Sequence, residues 1–207
     1  MRASMKLTIA VAVLAALWLA MMVGGTGVAD QWLLAALYVG KGSRLGDFLA
    51  SFTLLGNWQA VVGLSLIAAI WLLSTGHRRR ALLLLGITLL GRGLVEALKI
   101  GIHRIRPDAS EHLVPVYSLS FPSAHAANSM ILWLTLALLV PRREWRPAAI
   151  VVALLISFAV GLSRPMLGVH WPSDVIGGWS FGAAWVLAMI ALTERWPARE
   201  EKVVAKR

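Results

Sequence analysis

The 207-residue sequence has no cysteine, and its acidic residues (10) are half as many as its basic ones (20). Without cysteine there are no disulfides, no thiolate nucleophile and no cysteine-ligated zinc or iron–sulfur site. Charge of either sign is scarce. Only 14% of residues are charged against 58% hydrophobic, with a mean hydropathy of +0.74, too apolar for an ordinary soluble domain. Any chemistry must come from His, Asp, Glu, Ser, Lys and Arg. The formal charge of +10 superficially suits nucleic acid, but the basic residues fall in short clusters between apolar runs rather than along one soluble face. A polytopic membrane protein that binds no nucleic acid accounts for both features.

Six apolar stretches approach the ~20 residues needed to cross a bilayer: Leu7 to Val23, Trp58 to Leu73, Ala81 to Ile100, Ser123 to Val140, Ala148 to Ser163 and Val175 to Leu192. The segment 24 to 57 reads as a long connection. Within it Leu45, Phe48, Leu49, Phe52 and Leu55 recur at helical spacing, which suggests an amphipathic helix lying on the membrane surface. The expected fold is therefore all-α: a bundle of six transmembrane helices with one interfacial helix between the first two, forming a single domain over 1 to 207.

Lys and Arg near the span ends set the expected orientation. One side collects Arg2, Lys6, Arg78, Arg79, Arg80, Arg142, Arg143, Arg146, Arg195, Arg199, Lys202, Lys206 and Arg207; the other has Lys41, Arg44, Lys99, Arg104, Arg106 and Arg164. Thirteen against six predicts that both termini are cytoplasmic, and an even number of spans agrees by placing them on one side. The basic start, apolar core and small residues near Gly24 also fit a signal peptide; we read them as an uncleaved first span.

This topology brings polar residues to one level on the outer side. Lys99 ends span three, Arg106 follows it, Ser123 and His125 open span four, Arg164 ends span five, and His170 and Asp174 open span six. Ionisable groups at membrane depth are costly and mark function by default. Lys99, Arg106 and Arg164 have few anions near them in sequence and suit a multiply charged anion, Arg by bidentate contacts and Lys as a point charge. Pro122 suits a first helical position, which leaves the N–H groups of Ser123 and Ala124 as a second anion-binding device. Asp174 lies four residues after His170 and can fix its tautomer, freeing the other nitrogen to attack. His125 is then the candidate general acid and base.

Other polar residues carry blander readings. His103 and His112 are loop residues, and Arg78 to Arg80 are a topology signal. Arg92 and Glu96, at i, i+4 inside span three, read as a mutually satisfied pair. Gly178 and Gly182 read as a close-packing GxxxG, and Trp171 and Pro172 as shaping the start of span six.

Three stretches, "KIGIHRIRP" (99 to 107), "PSAH" (122 to 125) and "SRPMLGVHWPSD" (163 to 174), together resemble the three-part signature of the type 2 phosphatidic acid phosphatases. Lys99, Arg106 and Pro107 match the first part; Pro122, Ser123 and His125 the second; Ser163, Arg164, His170 and Asp174 the third. The family usually has glycine where this chain has Ala124. Alanine keeps the N–H at an early helical position, where φ is ordinary, so its added methyl is the only steric question.

The resemblance implies a metal-independent phosphatase, without cofactor, acting on lipid phosphates or diphosphates at the outer face of the membrane. By similarity His170 is transiently phosphorylated, Asp174 orients it and His125 protonates the leaving group. Lys99, Arg106, Ser123, Ala124 and Arg164 hold the phosphoryl oxygens. Phosphate and vanadate are the implied site ligands. The signature also occurs in soluble vanadium-dependent haloperoxidases, which the membrane spans fit poorly. Two alternatives are a phosphotransferase using the same residues and a non-catalytic lipid-binding or transport protein. Expected substrates are phosphatidic acid, phosphatidylglycerol phosphate, an isoprenyl diphosphate such as undecaprenyl diphosphate, or a phosphorylated lipid A, in a bacterial inner membrane. Asp108, Glu111, His112 and Tyr117 are candidates for head-group contact.

Overall fold

A computed structural model describes residues 2–194, and among them the secondary structure is entirely helical. Eight α-helices follow one another: α1 (Arg2–Gly24), α2 (Val28–Leu37), α3 (Arg44–Phe52), α4 (Trp58–Ser74), α5 (Arg78–Ile102), α6 (Ala124–Leu139), α7 (Arg146–Met166) and α8 (Pro172–Glu194). Arg195, Arg199, Lys202, Lys206 and Arg207, five of the cations behind the expected orientation, lie outside the described residues.

Each of the six apolar stretches becomes a helix with ends shifted by a few residues. By length and apolarity, however, only α1, α5, α7 and α8 qualify individually as membrane spans. A fifth forms if α3 and α4 count together, since they meet at a 50° bend through a 3-10 turn, Thr53–Gly56. The stretch expected as span four folds into the 16-residue α6. At 1.5 Å per residue that is about 24 Å, less than the ~30 Å of a bilayer core. Instead α6 is buried nearly all round, with α4, α5, α7 and α8 against it, which is the position an evenly apolar helix takes.

The expected connection 24 to 57 is also different. It holds two helices, because Val28–Leu37 is a helix in its own right. Ser43 caps α3 through a hydrogen bond from the Gly46 N–H (3.0 Å). Of the helically spaced residues in α3, Leu49 is buried against Leu167 and Val169, while Leu45 and Phe48 are exposed.

The α6–α8 contact is a close backbone-to-backbone seam. A Cβ on Gly178 would lie 2.7 Å from the Ser123 carbonyl oxygen, and one on Gly182 2.8 Å from that of Ala127. No larger residue fits at either position without moving a backbone, which bears out the close-packing reading. Several polar side chains inside the bundle donate to backbone carbonyls. Thr88 Oγ1 donates to the Leu84 carbonyl (2.7 Å) and Ser65 Oγ to that of Val61 (2.7 Å). Trp179 and Trp185 on α8 donate to the Ser157 carbonyl of α7 (2.9 Å) and the Ile87 carbonyl of α5 (2.8 Å). In a medium without water such bonds replace the hydration these groups lose, although Asn128 Oδ1, Ser129 Oγ and Thr135 Oγ1 of α6 are buried without a partner among the described residues.

Candidate active site

Lys99 sits in the last turn of α5. The helix stops when His103 takes a left-handed conformation (φ 57°), and the chain continues as a non-helical strap that carries Arg104 and Arg106 back along the bundle. Arg164 lies near the end of α7. The following segment is pinned by two backbone hydrogen bonds, Val39 N–H to the Met166 carbonyl and Leu113 N–H to the Leu167 carbonyl (both 3.1 Å). His170 follows this clamp directly, and Asp174 is in the first turn of α8, which Pro172 opens.

These residues meet in a nearly dry site: relative exposure is 2% for Lys99 and Arg164, 1% for His170 and 0% for Asp174. Asp174 Oδ2 is 3.2 Å from His170 Nδ1. The same oxygen accepts from Ser120 Oγ (2.5 Å) and from the Trp171 N–H (3.0 Å), while Oδ1 accepts from Arg104 Nη1 (2.9 Å). On the other edge of the imidazole, Arg106 Nη1 is 3.0 Å from His170 Nε2. A guanidinium can only donate, so Nε2 carries the lone pair and the ring proton is on Nδ1, facing Asp174. Burial first, and then the positive charges of Arg106, Lys99 and Arg164, hold the His170 pKa well below the usual imidazole value. Its neutral form, with Nε2 available, is the resting state at pH 7. Burial lowers Arg106 to about 10, against the opposing charge of Asp174, so it stays cationic.

The basic groups are anchored without carboxylates. Lys99 Nζ donates to the Leu119 carbonyl, and Arg106 donates to the carbonyls of Ser118 (2.6 Å) and Val169 (2.6 Å). Arg164 Nη1 donates to Thr53 Oγ1 (3.0 Å) at the α3–α4 bend. Among the described residues the only ion pairs within 4 Å of this region are Arg104–Asp174 and His170–Asp174. Buried Lys99 and Arg164 and half-buried Arg106 therefore form a basic cluster with no acid of its own. Arg164 Nε and Ser123 Oγ, both buried, have no hydrogen-bond partner. His125, half-buried in the first turn of α6, is within electrostatic reach of His170 and all three basic groups.

Two local expectations are corrected. Pro122 is not the first helical residue: α6 begins at Ala124, with Ser123 as its extended N-cap. Nor is the Ser123 N–H free, because it donates to the Asp174 backbone carbonyl (3.0 Å). The helical ladder starts with the Ala127 N–H on the Ser123 carbonyl (2.9 Å), so the first-turn donors are those of Ala124, His125 and Ala126. The Ala124 side chain packs on the apolar cluster that includes Ala127, Met130 and Ile131.

Arg92 and Glu96 do not pair. The Arg92 guanidinium stands 5.4 Å from the Trp58 ring centroid, and no ion pair or hydrogen bond joins it to Glu96 among the described residues. The cation–π contact takes the place of the expected bridge, while the Glu96 charge acts on Lys99 in the next turn. In the loop, Asp108 closes its own turn by accepting from the Ser110 N–H (2.9 Å), His112 Nε2 contacts the Pro107 carbonyl (3.2 Å), and Tyr117 is fully exposed.

Comparison with known proteins assigns the chain to a family. The model of the PAP2 superfamily matches residues 80–197, more than half the chain and all three motifs. The chain belongs to the PAP2 superfamily. Over 159 residues it is 30% identical to phosphatidylglycerophosphatase B of Bacillus subtilis (strain 168), covering 74% of this chain and 78% of that one. It is 37% identical over 109 residues to a lipid A 1-phosphatase of Rhizobium johnstonii, covering 48% of this chain and 41% of that one. The crystal structure of the transmembrane PAP2-type phosphatidylglycerolphosphate phosphatase from Bacillus subtilis superposes with a TM-score of 0.83 at 26% identity, over 91% of this chain and 98% of that one. The protein is thus a PAP2-type phosphatase, an integral membrane hydrolase of lipid phosphates.

Two side chains of this PAP2 site escaped the sequence reading. Arg104 was expected only as an outer-side topology cation, and Ser120 had no role. In the motif "HRIRP" Arg104 and Arg106 are two apart, yet one reaches Asp174 and the other His170 Nε2. The signal available was the repeated arginine itself.

Proposed function

We propose that this protein hydrolyses a membrane lipid phosphomonoester or diphosphate through a phosphohistidine intermediate at the outer face of a bacterial inner membrane. The observation that carries the reading is the basic cluster of buried Lys99 and Arg164 and half-buried Arg106, without an acid of its own, beside a neutral His170 whose Nδ1–H is directed at Asp174. An unpaired buried charge is expensive, and a phosphoryl group bearing about two negative charges is the ligand that offsets it. Ser123 Oγ, Arg164 Nε and the first-turn N–H groups of α6 supply donors for its oxygens.

In the first step His170 Nε2 attacks phosphorus as the bond to the leaving oxygen breaks, and protonated His125 gives that oxygen its proton. Because Arg106 Nη1 caps Nε2 in the resting geometry (3.0 Å), the guanidinium must turn onto the phosphoryl oxygens as substrate enters. Neutral His125 then takes a proton from water, whose oxygen attacks phosphorus as the P–N bond breaks, releasing inorganic phosphate. Asp174 stays an anion throughout, holding the Nδ1 proton and stabilising the cationic ring.

The clustering of Arg78 to Arg80 and Arg142 to Arg146 on the side opposite the motifs supports an outward-facing site and cytoplasmic termini. With α3–α4 taken as one bent crossing and α6 as another, six crossings result. Likeness to the Bacillus phosphatidylglycerophosphatase favours a glycerolipid monophosphate as the first substrate to test. Purified protein in detergent with EDTA should release phosphate from one or more of phosphatidylglycerophosphate, phosphatidic acid, undecaprenyl diphosphate and lipid A. His170→Ala should be inactive, and labelled phosphate should be trapped on the wild-type protein by rapid denaturation. Full activity in His170→Ala overturns the mechanism.

A further inference from the structure

Asp174 is held from behind by Arg104, which lies within the first motif stretch but is not one of its matched residues, and Arg104 is in turn seated on the end of α1. Arg104 Nη1 donates to Asp174 Oδ1 (2.9 Å) and to Ser173 Oγ (3.1 Å). Its Nη2 donates to the carbonyls of Met21 (2.8 Å) and Met22 (2.5 Å) in the last turn of α1. Those carbonyls lie in the last helical turn, at the negative end of its dipole, so they make a natural seat for a cation. The guanidinium carbon also lies 4.3 Å from the centroid of Phe121, a fully buried ring that in turn packs against Trp18 of α1.

A second buried acid completes the arrangement. Asp30 of α2 accepts from the Ser173 N–H (2.8 Å), from the Ser173 hydroxyl, and from the Thr26 N–H (2.7 Å). Ser173 is the residue before Asp174. The last turn of α1, the turn after it and the start of α2 therefore all converge on the first turn of α8. Gly25 lies at the crossing point: a Cβ there would collide with Arg104 Nη1 and Ser173 Oγ.

We propose that Arg104, seated on the C-terminal carbonyls of α1, is a positioning residue that sets the Asp174 carboxylate, and through it the His170 ring, for attack. This rests on the His170–Asp174 reading given under Proposed function. Four donors share the two Asp174 oxygens: Arg104, Ser120, the Trp171 N–H and His170 Nδ1. A carboxylate bound in this way orients the imidazole without taking its proton. Arg104 touches neither His170 Nε2 nor the basic cluster, so its removal should affect the chemical step and spare anion binding.

The test uses full-length protein in detergent and measures kcat, KM and vanadate inhibition for Arg104→Ala, Arg104→Lys and Gly25→Ala, with His170→Ala as control. Arg104→Ala should lower kcat on the order of 10- to 100-fold, the usual scale for losing a group that orients a site residue, with KM and vanadate affinity nearly unchanged. Arg104→Lys should recover part of the loss, because an ammonium keeps the charge but cannot span Asp174 and both α1 carbonyls. Gly25→Ala changes no charge and should lower kcat in the same direction. Unchanged kcat in Arg104→Ala alongside an inactive His170→Ala overturns the positioning role alone. So does a kcat loss matched by loss of vanadate binding, which a merely structural cation would give. Should Arg104→Ala fail to fold, Arg104→Lys and Gly25→Ala decide by the same criterion. An active His170→Ala removes the reading beneath it as well.

Discussion

Replacing Asp174 by asparagine keeps the volume and removes one charge from a position where four donors meet two oxygens. The amide offers one oxygen and one NH2. If the oxygen takes the Oδ2 place, it still serves Ser120, the Trp171 N–H and His170 Nδ1, but the NH2 faces Arg104 Nη1, donor against donor with a buried cation. If the oxygen turns to Arg104, the NH2 faces His170 Nδ1. The ring then keeps its proton on Nε2 and has no lone pair for phosphorus. In either orientation the charge that stabilises the imidazolium is gone. The corresponding change in a serine protease triad lowers kcat about 10⁴-fold. We expect a loss of about 10³- to 10⁴-fold here, or about 4 to 5.5 kcal/mol in the barrier at about 1.4 kcal/mol per decade. The assay is phosphate release in detergent, with vanadate inhibition checking that the anion pocket persists. A folded Asp174→Asn enzyme that loses less than about tenfold would refute the tautomer argument.

Arg164→Ala removes a buried donor set whose Nε has no protein partner, and each charged hydrogen bond to phosphate is worth about 1.5–3 kcal/mol; vanadate inhibition should weaken by about 10- to 100-fold. Ala124→Gly should leave phosphatase activity within about tenfold, because the methyl packs on the apolar cluster of α6; a larger change in either direction, read by kcat/KM, means that it shapes the pocket. For pH, the lowered His170 pKa keeps the imidazole neutral as pH falls through 6.5. NMR of labelled histidine in the resting enzyme should show this ring titrating well below the ordinary imidazole value, and vanadate, by neutralising the surrounding cations, should raise its pKa. Gly182→Val forces a side chain against the Ala127 carbonyl and Met130; overpacking of this kind costs about 1–3 kcal/mol and should appear as a lower thermal midpoint in detergent.

The sequence carried the parts of this molecule that depend on residue type. Apolar runs located the six long helices, since crossing or filling a bilayer needs uninterrupted apolar side chains. The basic cluster and the His170–Asp174 pair followed from spacing. What stayed hidden depends on backbone path. The α6 start moved because Ser123 takes an extended conformation and gives its N–H to Asp174, a long-range bond without local signature. Arg92 found Trp58 rather than Glu96 because the α3–α4 bend brings the start of α4 beside the middle of α5. Arg104 looked like a topology cation because its partners, Met21, Met22 and Asp174, lie about seventy or more residues away in sequence.

The glycine seam between α6 and α8 constrains how such an enzyme can diversify. His125 rides on one of these helices and Asp174 on the other, and at Gly178 and Gly182 the two meet backbone to backbone, beside the bond from the Ser123 N–H to the Asp174 carbonyl. The width of the reacting centre is therefore fixed by main-chain contact, and side-chain exchange has little room to widen it. New head groups have to be accommodated away from this seam, near the α3–α4 bend that holds Arg164 through Thr53 and along the loop where Asp108, Ser110, Glu111, Pro115 and Tyr117 are exposed. Engineering of substrate range should start there and leave the seam intact.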